Sequence, residues 1–180
     1  MRIDKEHTAC LVIDIQEKIF RVMAGKEEFL KNCTTLIRGM IILEIPVLVT
    51  QQYTKGLGDT IPEIRICIPD FHYTEKRKFS CCDEPSVMQH LYASGIENVI
   101  LCGIESHVCV LQTAVDLKGA GMHPIVVMDA VTSRTENSAG LARERFRHEG
   151  IMMTSAESIL FELTRSSAAP EFREISKLVK

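Results

Sequence analysis

Residues 103–113 read Gly-Ile-Glu-Ser-His-Val-Cys-Val-Leu-Gln-Thr and follow directly on the apolar run Val99-Ile100-Leu101-Cys102. The end of a buried strand is a costly place for Glu105, Ser106 and His107 unless they are partnered or have a task. Cys109 falls where a strand turns sharply into a helical pattern, a place where a nucleophile can be exposed. Backbone N–H groups and the dipole at a helix start favour a thiolate there. Asp14 closes the apolar run 8–13 and could accept a proton in a partly desolvated cleft. Lys76 and Lys78 lie in Glu75-Lys-Arg-Lys-Phe-Ser80. A cation near both would favour carboxylate and thiolate together.

Each of these residues has a plainer reading. A strand-end Asp14 can cap the next helix, and one cysteine among seven can be core packing. A Lys-Arg-Lys cluster is usually a solvated surface. His107 could serve Cys109 as a base, but two residues away on a turn it reads better as a core or partner-facing side chain. Cys81 and Cys82 read as packing. Two other uses of a strand-end carboxylate fail, because position 16 is Gln16 rather than a second Asp and the chain has no glycine-rich phosphate loop.

The elements that must hold these residues alternate. Apolar runs at 8–14, 46–50, 98–103, 123–129 and 151–154 have strand length and read as buried on both faces. Between them, residues 25–44, 85–94, 107–120 and 137–149 have helical spacing. Ser155 can cap a further helix, and Pro170 can open a last short one. This alternation predicts an α/β fold with a parallel sheet between two helical layers. Ligands of such sheets bind beyond the carboxyl ends of the strands. Asp14, Gln51 and Gln52, Glu105 to Cys109, and Asp129 all fall there. The loop 51–75 is long for a compact domain, which favours a functional role for it.

The 180 residues suit one domain, 1–180. A net charge of −3 supplies no basic field for nucleic acid. The apolar stretch Ile41-Ile42-Leu43 stops at Glu44, and no apolar run in the chain approaches the length of a membrane span. The charged opening Met-Arg-Ile-Asp-Lys-Glu-His has no signal-peptide pattern. The seven cysteines, an odd number without a C-x-x-C pair, favour neither a disulfide framework nor a zinc knuckle. A cytoplasmic protein is expected.

Three segments together carry a resemblance: Asp14-Ile-Gln16, Lys76-Arg-Lys-Phe-Ser80, and Gly103-Ile-Glu-Ser-His-Val-Cys109-Val-Leu-Gln-Thr-Ala114. They resemble the motifs of the isochorismatase-like cysteine hydrolases, which include nicotinamidases, carbamoylsarcosine amidases and isochorismatases. Residues 50–58, 129–134 and 170–178 are similar to the isochorismatase-domain-containing subgroup. The resemblance spans essentially the whole chain. It implies a three-layer α/β/α fold around a mostly parallel six-stranded sheet, and an Asp14-Lys76-Cys109 triad. Lys76 is selected over Lys78 because the family lysine precedes an aromatic-Ser pair by three residues. The resemblance also implies a cis peptide between Ile104 and Glu105, and an oxyanion hole from the backbone N–H groups of Glu105 and Cys109. A homo-oligomer and a small-molecule substrate are expected, with Gln16, Gln51, Tyr53 and Phe79 as pocket candidates.

Two departures narrow the expectation. Isochorismatases proper carry glycine at the position of Cys109, so a C–N bond of an amide or ureide is expected in place of isochorismate. Nicotinamidases carry an Asp-x-His metal element where this chain has Gln51-Gln52-Tyr53, so neither metal nor other cofactor is expected. The rival expectation is a binding or assembly protein that keeps the site without efficient turnover.

Overall fold

The computed structural model describes residues 2–180. In chain order the elements are β1 (Thr8–Ile13), α1 (Glu17–Phe20), α2 (Lys26–Ile42), β2 (Val47–Gln52), α3 (Thr54–Leu57), α4 (Pro62–Arg65), β3 (Thr74–Lys76), α5 (Pro85–Ala93), β4 (Asn98–Ile104), α6 (Leu111–Gly119), β5 (His123–Thr132), α7 (Glu136–His148), β6 (Met152–Thr154), α8 (Ala156–Thr164) and α9 (Phe172–Leu178). The six strands form one sheet in the order β3-β2-β1-β4-β5-β6. Every pairing is parallel.

Successive side chains on a strand point to opposite faces, and here both faces are covered. Cys10 and Val12 of β1, Ile100 and Cys102 of β4, and Ile125 and Val127 of β5 pack against Phe29, Leu36, Ile37 and Met40 of α2 and against α8 and α9. The alternate residues Ala9, Leu11, Ile13, Val99, Leu101 and Val126 pack against α5, α6 and α7. Helix α2 thus lies on one face, and α6, which follows β4, on the other. The crossovers part at the junction of β1 and β4, a topological switch point of the kind where open sheets bind ligands.

Three features depart from the sequence reading. The loop 51–75 contains two single-turn helices and runs into the edge strand β3, too short to register as an apolar run. Strand β5 continues past Asp129 to Thr132, with a register shift against β4 between Leu101 and Gly103. The helix expected over 107–120 begins as a wide turn at Ser106–Val110, where Val110 N–H donates to the Glu105 carbonyl five residues back, and only then tightens into α6. Ser155 does cap α8, accepting from Ser158 N–H.

Gly103 is needed where β4 passes β1. Its φ is +125°, and a Cβ there would lie 2.1 Å from the Ile13 carbonyl oxygen. The missing side chain lets the strand ends bearing Asp14 and Glu105 come together.

Candidate active site

Asp14 leaves β1 with φ at +53° and turns its carboxylate beneath the sheet's carboxyl edge. Thr50, at the matching point of β2, holds it twice. The Asp14 N–H donates to the Thr50 carbonyl at 3.2 Å, and Thr50 Oγ1 donates to Asp14 Oδ1 at 2.8 Å. The other carboxylate oxygen, Oδ2, lies 2.6 Å from Lys76 Nζ.

Lys76 ends β3 and is only 1% exposed. Burying an ammonium is expensive unless oxygens surround it. Four do: besides Asp14 Oδ2, Nζ donates to Gln52 Oε1 at 2.7 Å, to the Phe79 carbonyl at 3.0 Å and to the Lys78 carbonyl at 3.2 Å. Burial pulls the Lys76 pKa down, but the charge of Asp14 and the neighbouring Cys81 and Cys109 outweigh it, leaving it raised. Lys78 is exposed and contributes its backbone carbonyl alone.

Cys109 sits in the wide turn and is 7% exposed. Burial first, and then the charge of Asp14, push its thiol up to about 12, against the pull of Lys76. The resting site is therefore a thiol beside a carboxylate–ammonium pair, not a standing thiolate. A second thiol, Cys81, lies inside the first, wholly buried, with its Sγ 3.7 Å from Thr50 Oγ1. Burial, followed by the charge of Asp14, raises Cys81 to about 11.

The Ile104–Glu105 peptide is cis. The Glu105 N–H has no acceptor among the described residues, and the Glu105 carbonyl receives the N–H groups of Val108 and Val110 on either side of Cys109. The Glu105 side chain turns away toward Arg134, accepting from its backbone N–H at 3.2 Å and its Nε at 3.0 Å. His107 hydrogen-bonds through Nδ1 to Ser133 Oγ at 2.8 Å, which engages that nitrogen away from the thiol.

The expected pocket residues divide. Gln16 is wholly buried. It donates to the Gln52 and Gly58 carbonyls and accepts from Gln52 N–H, so its amide pins the loop to the end of β2. Gln51 is also buried, donating to Thr60 Oγ1 and accepting from Thr54 Oγ1. Phe79 is 54% exposed, and its own backbone carbonyl holds Lys76; Tyr53 stands partly exposed under the Arg77 guanidinium. Asp129 lies away from the site: its Oδ1 accepts from Ala156 N–H at the start of α8, because the β5 irregularity carries the strand past it.

A metal of the nicotinamidase kind does not fit. Both polar ends of the Gln51 amide are committed to hydroxyls. No group of three metal-ligating side chains occurs among the described residues. Sequence reasoning passed over Thr50, placed Gln52 at a strand end without a role, and read Cys81 as packing. Polar residues closing the apolar strand β2 were the available signal for the first two. Cys81 had none beyond its place next to Ser80.

Residues 8–158 match the family model for the isochorismatase domain. A secreted isochorismatase effector, Isc1, of Phytophthora sojae is 40% identical over 97% of this chain and 85% of its own length. Isochorismatase domain-containing protein 2 of Danio rerio is 36% identical over 99% of this chain and 89% of its own. Among solved structures, the MAR1 ribonuclease of Caenorhabditis elegans superposes with a TM-score of 0.94 at 37% identity, covering 99% of this chain and 92% of that one. The chain belongs to the isochorismatase-like hydrolase family.

Proposed function

We propose that the protein hydrolyses a C–N bond of a small amide or ureide through Asp14, Lys76 and Cys109. The observation that carries the reading is the buried Asp14–Lys76 pair set against the Cys109 thiol. Cys109 Sγ attacks the carbonyl carbon as its proton passes to Asp14. The Glu105 and Cys109 N–H groups take the developing oxyanion, each worth about 3 kcal/mol. Asp14 then delivers that proton to the leaving nitrogen, the C–N bond breaks, and a thioester remains on Cys109. Water attacks the thioester, passing one proton through Asp14 back to Sγ and releasing the carboxylic acid. Lys76 stays charged throughout and offsets negative charge on whichever partner holds it. Phe79 and Tyr53 stand at the rim, where they can meet the substrate. The steps as written call on no group beyond these side chains and water.

Ammonia release from a panel of acetamide, benzamide, nicotinamide and N-carbamoylglycine tests this, with Cys109→Ala as control. Turnover that survives in Cys109→Ala, or no turnover of any panel member, contradicts it. The latter result would favour a binding or assembly protein that retains the site. The name of the Caenorhabditis elegans neighbour raises RNA cleavage as a rival. A single buried cation and a net charge of −3 give little for a phosphate backbone to grip, and an RNA substrate in the same assay decides it. The same reading has 1–180 as one domain and the protein as a cytoplasmic homo-oligomer. Leu141, 64% exposed on α7, gives such an assembly an apolar contact. A monomeric mass at micromolar concentration counts against assembly.

A further inference from the structure

The Asp14 carboxylate is held unequally, and counting protons shows how. Thr50 has one hydroxyl proton, and it goes to Asp14 Oδ1 at 2.8 Å. In the 3.7 Å contact between Thr50 Oγ1 and Cys81 Sγ the donor is then the Cys81 thiol. This gives a directed chain, Cys81 S–H to Thr50 O–H to Asp14 Oδ1, buried at every member. Lys76 Nζ has three protons for four oxygens, the carbonyls of Lys78 and Phe79, the amide oxygen of Gln52 and, closest at 2.6 Å, Asp14 Oδ2. Oδ2 is buried, and the ammonium is its one close partner among the described residues. A carboxylate oxygen held this way keeps lone-pair capacity for a further proton.

We infer that Thr50 is a positioning residue for the hydrolysis proposed above: it commits Oδ1 and leaves Oδ2 as the oxygen that carries the proton between Cys109 Sγ and the leaving nitrogen. The inference rests on the Asp14–Lys76–Cys109 reading. Without the Thr50 hydroxyl the carboxylate can turn about its Cα–Cβ and Cβ–Cγ bonds, and either oxygen can drift toward Lys76. The proton-carrying oxygen then meets the thiol for only part of the time. Such a loss appears in kcat, because Thr50 does not touch the substrate.

The experiment compares wild type, Thr50→Val, Thr50→Ser, Asp14→Asn and Cys109→Ala on the panel amide that wild type turns over fastest, with thermal unfolding as a check on folding. Thr50→Val nearly preserves shape and deletes the hydroxyl. Thr50→Ser keeps the hydroxyl and leaves a methyl-sized void. Expected are a kcat about tenfold or more lower for Thr50→Val with KM nearly unchanged, and Thr50→Ser within about threefold of wild type. A packing role predicts the reverse order. If Thr50→Val does not fold, Thr50→Ala against Thr50→Ser gives the same contrast, since both lack the methyl group and one keeps the hydroxyl. Thr50→Val near wild type, or Thr50→Ser as impaired as Thr50→Val, overturns the inference while the proposed function stands. Full turnover in Asp14→Asn or Cys109→Ala, or no turnover by wild type, overturns the proposed function and the inference with it.

Discussion

Removing the Asp14 charge should make Cys109 more reactive toward a simple alkylating agent while destroying hydrolysis. Burial and the Asp14 carboxylate hold the thiol up at about 12, and Lys76 opposes them. At pH 8 a group titrating near 12 is ionised in only about one molecule in 10⁴. Asp14→Asn keeps the side-chain shape, deletes the negative charge and leaves Lys76 unopposed. A neighbouring charge typically moves a pKa by about one unit or more, so the thiolate fraction should rise about tenfold. A thiolate whose pKa falls by one unit loses roughly threefold in nucleophilicity, so alkylation should rise about three- to fourfold net. Hydrolysis should fall by orders of magnitude, because no carboxylate remains to carry the thiol proton to the leaving nitrogen. The assay is iodoacetamide labelling at pH 8, with the Cys109 peptide quantified by mass spectrometry and the other six cysteines as internal references. Slower alkylation in Asp14→Asn would refute the reasoning, since the carboxylate would then be what makes the thiolate available.

Lys76→Met should do the opposite to alkylation, slowing it at pH 8, while also removing hydrolysis; Lys78→Met, at an exposed position, should change both rates less than twofold. Gly103→Ala should cost about 3 kcal/mol or more in a urea melt, because its Cβ meets backbone of β1 with no room to yield; a loss below about 1 kcal/mol would contradict the close strand approach. Stability should fall as pH rises above 9. The folded state raises Cys10 and Cys102 well above 9.0, Cys81 to about 11 and Cys109 to about 12, so their contribution is complete below pH 9 and is lost as pH climbs through those values. Each thiol removes up to about 1.4 kcal/mol per pH unit. Raised Lys76 adds to the loss above 10.5. A urea midpoint that stays flat from pH 8 to 11 would contradict this.

Asp14 and Cys109 stood out as candidates because local pattern marks their places, a carboxylate closing an apolar run and a thiol just past a strand-to-helix turn; Lys76 was singled out from Lys78 by the family resemblance alone, and its burial against Asp14 shows only in three dimensions. The parallel sheet was legible for the same reason, since strands buried on both faces are apolar throughout. What stayed hidden depends on contacts between distant segments. Three-residue β3 is a strand only because β2 offers it an edge. Asp129 reads as a strand-end site residue until the β5 irregularity carries it to the start of α8. Gln16 and Gln51 read as pocket side chains, yet their amides are used within the loop 51–60 and its anchor. Thr50 and Cys81 are ordinary residues in sequence and acquire a role only through where Asp14 puts its Oδ1.

The central claim is that Cys109 becomes covalently acylated during turnover. Acid-quenching the enzyme while it turns over its best panel amide, followed by intact and peptide mass spectrometry, tests this most directly. The predicted result is an added mass equal to the substrate's acyl group on the Cys109 peptide, absent in Cys109→Ala and released by hydroxylamine. Sustained turnover with no acyl mass on Cys109, or the same turnover in Cys109→Ala, would contradict the account.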